Sequence, residues 1–269
     1  MLKKTFNLGV YFFSFILLFW DDSLINKYLP KIFKDEQYTG YNILIYKVII
    51  FIIFFLISFI FNLLYNKVIW YKKINFKGHE IEIRYGDLLK SHKGSIVINF
   101  DECFTTSIGE NSSDIKPSSL CGQFLLQHQT FNIEKIIKSS NVSVQKRKSE
   151  YNHYVCYKPG SIIKYEKFLF MAFARLDSNG NAKFNDKKDF INCLDNFWKE
   201  LYNKHGDCNV CMPILGSSRT KIGDTYLTEQ QALDLILFSY KISDFKLQRN
   251  YKLIIYCKRN SNFSLHNIS

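Results

Sequence analysis

The chain of 269 residues lacks the features that mark several large classes of protein. It contains no internal repeat and no low-complexity tract, so neither a repeat array nor a fibrous protein is indicated. Its seven cysteines suggest no disulfide framework, because their number is odd and their spacing is irregular. No recognisable nucleic-acid-binding module is present either. The cysteines that are there all lie in the C-terminal part, which is typical of reduced thiols in a cytosolic domain.

Acidic residues are also in short supply. The 24 acids are outnumbered by 36 lysines and arginines, which leaves a net charge of +12. Such a balance suits a domain held at the anionic inner leaflet of a membrane, and it also suits nucleotide binding. A basic tether for nucleic acid is a further interpretation, but without a binding module nucleic acid is not the expected partner.

One long apolar segment lies near the N-terminus. Residues 41–65 contain one lysine and no acid. At about 1.5 Å per residue, residues 48–65 cover about 27 Å, close to the roughly 30 Å hydrocarbon core of a bilayer. Lys47 lies near one end, where its ammonium can reach the headgroups. These features predict a membrane-spanning helix over about 44–65, with a buried helix of a large soluble protein as the alternative.

A shorter apolar run, about residues 5–20, precedes this segment and follows Lys3 and Lys4. No small-residue cleavage site follows Trp20, so a second membrane span is favoured over a cleaved signal peptide, which stays the alternative. Lysines flank the two runs on both outer sides, which favours a cytoplasmic N-terminus and a cytoplasmic C-terminus. The sequence thus predicts a multi-pass protein of the cell inner membrane with a two-helix hairpin.

The predicted organisation has two parts. Residues 1–76 form the transmembrane hairpin with a basic juxtamembrane segment, and residues 77–269 form one cytoplasmic domain. Within the domain apolar strands alternate with helices, which predicts an α/β layer structure that binds ligands at the carboxyl ends of its strands. The candidate strands are 80–85, 95–100, 168–176, 209–215 and 252–257; the candidate helices are 119–128, 187–204 and 228–242; residues 138–165 are predicted as a surface excursion or small hairpin.

Small and polar residues follow three of the candidate strands. Backbone N–H groups after the strand 209–215, together with Arg219 and Lys221, suit a pyrophosphate. Taken singly, a plain helix cap and a plain loop explain such residues, but their occurrence at successive strand ends favours a shared site. The candidate ligand-binding residues are Asp87, Leu88, Asp101, Glu102, Ser118, Ser119, Gly122, Gly216, Ser217, Ser218, Arg219, Thr220 and Lys221.

These segments carry a resemblance to a known family. Gly86-Asp87-Leu88-Leu89 and the apolar strand after it look like the opening of a macro domain, the ADP-ribose-binding fold, and residues 213–223 match its phosphate loop. The motifs NFDECFTT, IKPSSLCGQF and MPILGSSRTKIG resemble the divergent macro-type domain of membrane effectors in Thoeris anti-phage systems. In that group two N-terminal transmembrane helices precede the domain. The resemblance covers essentially the whole chain and implies a macro-like three-layer α/β domain with a mixed sheet.

The resemblance also implies a function. In that family a partner TIR-domain protein consumes NAD and makes an ADP-ribose derivative, here of the histidine–ADP-ribose type. The macro-type domain is expected to bind this derivative, the copies to self-associate, and the helices to disrupt the inner membrane, which leads to cell death or growth arrest. The expected ligand is therefore an ADP-ribose derivative, with no resident cofactor and no metal.

Roles for individual residues follow from the same resemblance. Asp87 is expected to accept from the adenine amino group, and Asp101 with Glu102 to lie near the distal ribose. Residues 216–219 match the diphosphate loop, and Ser119 with Gly122 would close its other side.

One departure from the family pattern bears on catalysis. Hydrolytic macro domains place a glycine-rich run and an asparagine pair after the second strand, whereas this chain has Asn99-Phe100-Asp101-Glu102 there. The departure favours binding without turnover. A membrane-anchored hydrolase acting on ADP-ribose or on ADP-ribosylated substrates is the alternative.

Two further patterns are assigned no ligand. Cys208 and Cys211, with His205, have the spacing of half a zinc site, but no second pair follows and Cys211 falls within an apparent strand. They are interpreted as structural thiols. The basic run 146–148 is interpreted as a solvated or leaflet-facing surface.

Overall fold

The computed structural model describes residues 30, 32, 34–68, 70–111, 114–217, 220–259 and 263–268. It divides into two compact units, Met1–Trp70 and Tyr71–Ser269. The boundary falls six residues before the one placed from the sequence, because residues 71–76 form a strand of the second unit instead of a juxtamembrane segment.

The first unit is described mainly by one helix, α1 (Thr39–Val68), which follows a 3-10 turn at Glu36–Tyr38. Its part Thr39–Ile60 is long and apolar enough to cross a membrane, and only 6% of that window is buried. The predicted span 44–65 lies within α1. The other predicted span, 5–20, lies outside the described residues, so the two-helix hairpin stays a prediction. Among the residues that the structure describes, α1 is the one candidate membrane helix.

The second unit alternates strands and helices, as the sequence predicts. Its strands are β1 (Tyr71–Phe76), β2 (His79–Tyr85), β3 (Ser95–Asp101), β4 (Val144–Lys148), β5 (Val155–Tyr157), β6 (Ile162–Tyr165), β7 (Phe168–Leu176), β8 (Ala182–Phe184), β9 (Val210–Pro213), β10 (Lys221–Ile222), β11 (Thr225–Tyr226) and β12 (Leu253–Cys257). Its helices are α2 (Leu120–Gln127), α3 (Ile133–Ser139), α4 (Lys187–Lys204) and α5 (Glu229–Ile242), with a 3-10 turn at Leu265–Asn267.

All five predicted strands and all three predicted helices are confirmed, with their ends shifted by at most two residues. The capping box of Thr228 and Gln231 begins α5 as predicted. Residues 138–165 contain the β4–β5 hairpin. Helix α3 and the short strands β1, β6, β8, β10 and β11 were not predicted, since each is short or only half-buried. Strand β6 corrects the prediction of a surface excursion over 138–165, because Ile162 and Ile163 are buried and the strand pairs with β7.

Within the described residues, the main sheet has ten strands in the order β1-β2-β12-β9-β3-β7-β8-β10-β11, with β6 beside β7. The inner strands β2, β12, β9, β3 and β7 are parallel to one another. Strand β1 pairs antiparallel with β2, and β6 and β8 pair antiparallel with β7, while β10 is parallel to β8. The predicted mixed sheet is therefore confirmed. Because the five inner strands run the same way, their carboxyl ends meet at one edge, which brings the three predicted segments to the same side of the domain.

Helices cover both faces of the sheet. On one face Phe100 of β3 and Phe170 of β7 pack in one core cluster with Phe124 of α2. Side chains of a strand alternate between the two faces of the sheet, and on the face opposite to Phe170 the β7 residue Phe173 contacts Phe190 of α4. Helix α5 packs against α4, with the ring of Tyr240 on Trp198. The arrangement is the predicted three-layer α/β domain.

Candidate functional site

A cleft of about 480 Å³ opens at the carboxyl edge of the sheet, where β3 and β7 end. This volume lies within the range of small-molecule sites, which is roughly 300–1,000 Å³. Its floor is apolar, and polar groups from four segments surround it. The lining residues are Asn99, Phe100, Asp101, Asp114, Ile115, Lys116, Ser119, Leu120, Cys121, Phe173, Ala174, Leu176, Gly180, Asn181, Ala182, Thr220 and Tyr226. We call this the strand-end cleft.

Three polar side chains of the strand-end cleft have no internal hydrogen-bond partner. Among the described residues, the Asn99 amide on β3 and the hydroxyls of Thr220 and Tyr226 make no side-chain hydrogen bond. Asn99 is half-buried and Thr220 is buried, while the Tyr226 ring is 58% exposed at the mouth. Because no internal hydrogen bond occupies them, the Asn99 and Thr220 side chains are available to a polar ligand.

The N-terminus of α2 also faces the strand-end cleft. The Ser119 hydroxyl accepts from the Gly122 N–H at 3.0 Å and donates to the Lys116 carbonyl at 2.7 Å. Ser119 is therefore a helix cap and its side chain is committed. The N–H groups of Leu120 and Cys121 have no partner within the helix, because a first turn never supplies one. They give the cleft backbone donors at the positive end of the helix dipole.

Gly122 shapes this end of the strand-end cleft without contacting its interior. A Cβ at Gly122 would lie 2.2 Å from the Lys116 carbonyl oxygen, so only glycine lets the segment before the helix pack so closely. Ser118 is exposed, and its carbonyl accepts from the Gln123 amide at 3.0 Å. Neither residue lines the cleft, so of the predicted pair of serines only Ser119 does.

Asp101 lines the strand-end cleft, but its carboxylate already has partners. Oδ1 accepts from the N–H groups of Cys103 at 2.8 Å and Thr105 at 3.1 Å, and Oδ2 accepts from the Thr105 hydroxyl. Burial raises the pKa of Asp101, although the bonds from Thr105 and Cys103 act in the opposite direction. Asp101 thus fixes the turn after β3, and its contact with the ligand stays a prediction. That turn holds Phe104 at a φ of 54°.

Glu102 is placed elsewhere than the sequence predicts. Its side chain is fully buried and forms an ion pair with Arg147 of the β4–β5 hairpin. Burial raises the pKa of Glu102, while the Arg147 guanidinium lowers it. Glu102 does not line the strand-end cleft. The interpretation of the run 146–148 as a purely solvated surface is wrong for Arg147.

Leu88 and Asp87 also lie outside the cleft lining. Leu88 is 4% exposed and belongs to the core that α2 covers, because an apolar side chain at this strand end packs inward. Asp87 is exposed just beyond β2, accepts from the Leu89 N–H at 3.1 Å, and lies 3.8 Å from the Lys90 ammonium. Of these two side chains, only the Asp87 carboxylate is accessible to a ligand.

The segment after β9 reaches the strand-end cleft through one described residue, Thr220. Gly216 has a φ of 79° and lies against Phe190, and Ser217 forms a bridge with Leu227. Ser218 and Arg219, the centre of the predicted diphosphate loop, lie outside the described residues. Lys221 belongs to β10, where its ammonium lies 4.0 Å from Asp224, and it does not line the cleft.

Sequence reasoning did not select Asn99, Asn181 or Tyr226 as ligand-binding residues. Asn99 had a detectable signal, because it is the one polar side chain within the apolar run from Ile96 to Phe100 of β3. Tyr226 had no such signal in the sequence, since β11 has two residues and lies far along the chain from β3. Asn181 closes the β7–β8 turn, donating its N–H to Asp177 at 2.8 Å, and this turn looked like an ordinary one.

A second cleft, of about 630 Å³, lies on the other side of the turn after β3. It is bordered by that turn, by the start of α3 and by β5. Its lining residues are Cys103, Phe104, Thr105, Thr106, Ser107, Phe131, Asn132, Ile133, Glu134, Ile137, Tyr154, Val155 and Tyr157. We call this the hairpin cleft.

A mixed sheet between two helical layers, with a cleft at the carboxyl edge of its parallel strands, is the architecture of a macro-type domain. Residues 81–258 match the model of the family described as Thoeris protein ThsA, Macro domain. The match covers well over half of the chain, and the chain belongs to this family.

The chain is also similar to individual known proteins. Over 196 residues it is 26% identical to Thoeris protein ThsA of Bacillus amyloliquefaciens (strain Y2), a match that covers 70% of this chain and 65% of that protein. The match thus spans just under two thirds of the relative's length. A macrodomain of Oceanobacillus iheyensis has 15% identity and a TM-score of 0.40, covering 71% of this chain and 92% of that one. The same macrodomain with ADP gives 12% identity and a TM-score of 0.38, covering 70% and 90%.

Proposed function

We propose that this protein is an anti-phage effector whose macro-type domain binds an ADP-ribose derivative in the strand-end cleft. The observation that carries the proposal is the meeting of the unpartnered Asn99 and Thr220 side chains with the N-terminus of α2 at the carboxyl edge of the sheet. Membership of the Thoeris macro-domain family supports the ligand class. The match to Thoeris protein ThsA supports a role beside a TIR-domain protein that makes the signal.

The chemistry of the strand-end cleft suits such a ligand. A ribose offers hydroxyls that can pair with the Asn99 amide, which both donates and accepts, and with the Thr220 hydroxyl. The backbone donors of Leu120 and Cys121 suit phosphate oxygens at a helix N-terminus. The exposed ring of Tyr226 can stack on a base. Bound in this way, the ligand satisfies polar groups that have no partner among the described residues, which favours its retention.

Helix α1 supplies the output in this proposal. Its apolar side chains around Ile53 are about half exposed, a surface that suits lipid. Ligand binding brings copies of the chain together through their macro-type domains, and the gathered membrane helices disrupt the inner membrane. Both termini lie in the cytoplasm, as the flanking lysines favour.

A titration of the full-length protein in lipid nanodiscs tests the binding step. Histidine–ADP-ribose, ADP-ribose and AMP are added in turn, binding is followed by calorimetry, and the ligand is recovered for chromatography. Saturable binding of an ADP-ribose compound, with AMP weaker and the ligand recovered intact, is expected. Release of a smaller product would instead identify the membrane-anchored hydrolase, and absence of binding to all three would refute the proposed ligand class.

A charge in α1 tests the membrane step in the full chain. Ile53→Lys places an ammonium near the middle of the apolar segment, where insertion scales assign a cost of about 2.5–3.5 kcal/mol. We expect the variant to lose toxicity in cells that make the signal, while its affinity for histidine–ADP-ribose is unchanged. Ile53→Leu, the matched control, keeps both properties. Full toxicity of Ile53→Lys would show that α1 is not the acting element.

A further inference from the structure

Three potential metal ligands converge where the turn after β3 meets the β4–β5 hairpin. Glu102 and Cys103 lie on the turn after β3, and Cys156 lies on β5 of the hairpin. One ligand atom from each, a carboxylate oxygen and two Sγ atoms, lies within 4.8 Å of the other two, and all three residues are buried. These residues are not used in the proposed ligand binding.

The spacing of the two sulfur atoms fits a tetrahedral cation. The Sγ atoms of Cys103 and Cys156 are 3.7 Å apart. Two thiolates on one zinc ion, each at about 2.3 Å with tetrahedral angles, lie about 3.8 Å from each other. A disulfide would need an Sγ–Sγ separation of about 2.05 Å, which this pair does not have. The sulfur atoms therefore already have the separation that zinc requires.

One oxygen of the Glu102 carboxylate is not used in the ion pair with Arg147. Oε2 forms the ion pair with Arg147, while Oε1 is buried and has no hydrogen-bond partner among the described residues. A buried carboxylate is costly unless it is well paired, and besides Arg147 its neighbour is the Cys156 thiol, whose S–H is a weak donor that lowers the pKa of Glu102. A cation between Glu102 and the two sulfurs would supply the missing partner.

The surrounding charges also fit a divalent ion. Arg147 balances the carboxylate of Glu102, and its Nη1 lies 3.7 Å from the Cys156 sulfur, to which it donates. When Zn²⁺ binds, two S–H bonds break, two Zn–S bonds form, and two protons leave for solvent. The two charges of the ion are then balanced by two thiolates, so the cluster is neutral before and after binding. No net charge has to be buried.

The ion has a route to this position. Cys103 lines the hairpin cleft, whose walls at Tyr154 and Tyr157 belong to β5 and the residue before it. The fourth coordination position can therefore be filled by water from the cleft, as in sites with three protein ligands.

We propose that Glu102, Cys103 and Cys156 form a zinc site that fastens the β4–β5 hairpin to the turn after β3. The site differs from the pair Cys208 and Cys211 considered from the sequence. Cys208 there bonds to the His205 carbonyl at 3.1 Å, and Cys211 to Ser91 at 3.3 Å. The sequence did not suggest the new pair, because 53 residues separate its cysteines.

Zinc itself is the probe for the test. The full-length protein in detergent is stripped with a chelator under reducing conditions, loaded with ZnCl₂, freed of excess ion and analysed for metal. We expect about one zinc ion per chain. X-ray absorption at the zinc edge should show two sulfur neighbours at about 2.3 Å together with oxygen neighbours. A rise of the unfolding temperature with zinc is expected as well, since the ion binds the folded state.

Three variants test whether zinc binds at this site and not at other cysteines. Cys156→Ser and Glu102→Gln should each weaken zinc binding by about tenfold or more, as measured by competition with a coloured chelator. Cys208→Ser, the matched control, should bind as the wild type does. Circular dichroism checks that each variant is folded; if Cys156→Ser is not, the wild-type absorption spectrum decides alone.

Several results would overturn the proposal. They are a wild-type protein that retains no zinc, a spectrum without two sulfur neighbours, and a loss of zinc on Cys208→Ser with retention on Cys156→Ser. Rapid formation of a Cys103–Cys156 disulfide that zinc does not slow would also count against it, because it would make the pair a redox site.

Discussion

The two clefts border the same turn and differ in chemistry. The strand-end cleft has Asp101 on its wall and a volume of about 480 Å³, whereas the hairpin cleft has Cys103 to Ser107 on its wall and about 630 Å³. Volume alone would favour the hairpin cleft as the ligand-binding site. The smaller cleft is the better candidate for the nucleotide, because it lies at the carboxyl edge of parallel strands, where open α/β sheets bind their ligands.

The asparagines of the two clefts differ in the same direction, although the exposed Thr106 and Ser107 hydroxyls of the hairpin cleft also have no side-chain partner among the described residues. In the strand-end cleft Asn99 and Thr220 have no side-chain partner among the described residues, while in the hairpin cleft Asn132 is committed as the cap of α3, accepting from the Lys135 N–H at 3.0 Å. A polar group that already has a partner gains little from a ligand, whereas an unpartnered one gains a full hydrogen bond. The comparison therefore predicts that paired substitutions in the two clefts have unequal effects on ligand binding.

The largest difference is expected from blocking each cleft. Asn181→Trp places an indole at the exposed rim of the strand-end cleft, and Ser107→Trp places one at the exposed rim of the hairpin cleft. The first should lower the affinity for histidine–ADP-ribose by about a hundredfold or more, which is about 2.7 kcal/mol, and the second should leave it unchanged. Calorimetry on the full-length variants measures both. The reverse result would move the ligand to the hairpin cleft.

A smaller difference is expected from two matched tyrosines. Tyr226 at the strand-end cleft and Tyr154 at the hairpin cleft are 58% and 60% exposed, so neither substitution should affect folding. Tyr226→Ala removes a ring on which a base can stack, an interaction of about 1–3 kcal/mol, and about a tenfold loss of affinity is expected. Tyr226→Phe should retain the affinity, and Tyr154→Ala should too. Equal affinities of Tyr226→Ala and the wild type would exclude base stacking on this ring.

The convergence of the strand ends could be predicted from the sequence. Apolar strands alternating with helices imply parallel neighbours, and β2, β9 and β3 are indeed parallel members of one sheet. The family pattern added the macro-type fold, which the family match shows. These inferences succeed because strand burial and helix capping are local properties of the chain.

The hydrogen-bond and ion-pair partners of the side chains at those strand ends were harder to predict. The Glu102–Arg147 ion pair joins residues 45 positions apart, and no local pattern indicates such a contact. The bonds from Cys103 and Thr105 to Asp101 are different, because an aspartate commonly accepts from backbone N–H groups a few residues on. This local pattern is therefore sufficient to predict Asp101 as a turn residue.

The smallest difference is expected from two asparagines, and it separates affinity from stability. Asn99→Ala removes an unpartnered amide from the strand-end cleft, so we expect affinity for histidine–ADP-ribose to fall by about fivefold, the value of one net hydrogen bond of roughly 1 kcal/mol. Its effect on the free energy of unfolding should be small, since no internal bond is lost. Asn132→Ala removes the cap of α3 and should lower that free energy by about 1 kcal/mol while affinity stays the same. Calorimetry and thermal unfolding of the two full-length variants measure both quantities. If Asn99→Ala lost stability and kept its affinity, Asn99 would be a structural residue, and Thr220 together with the backbone N–H groups of Leu120 and Cys121 would supply the polar contacts for the ligand.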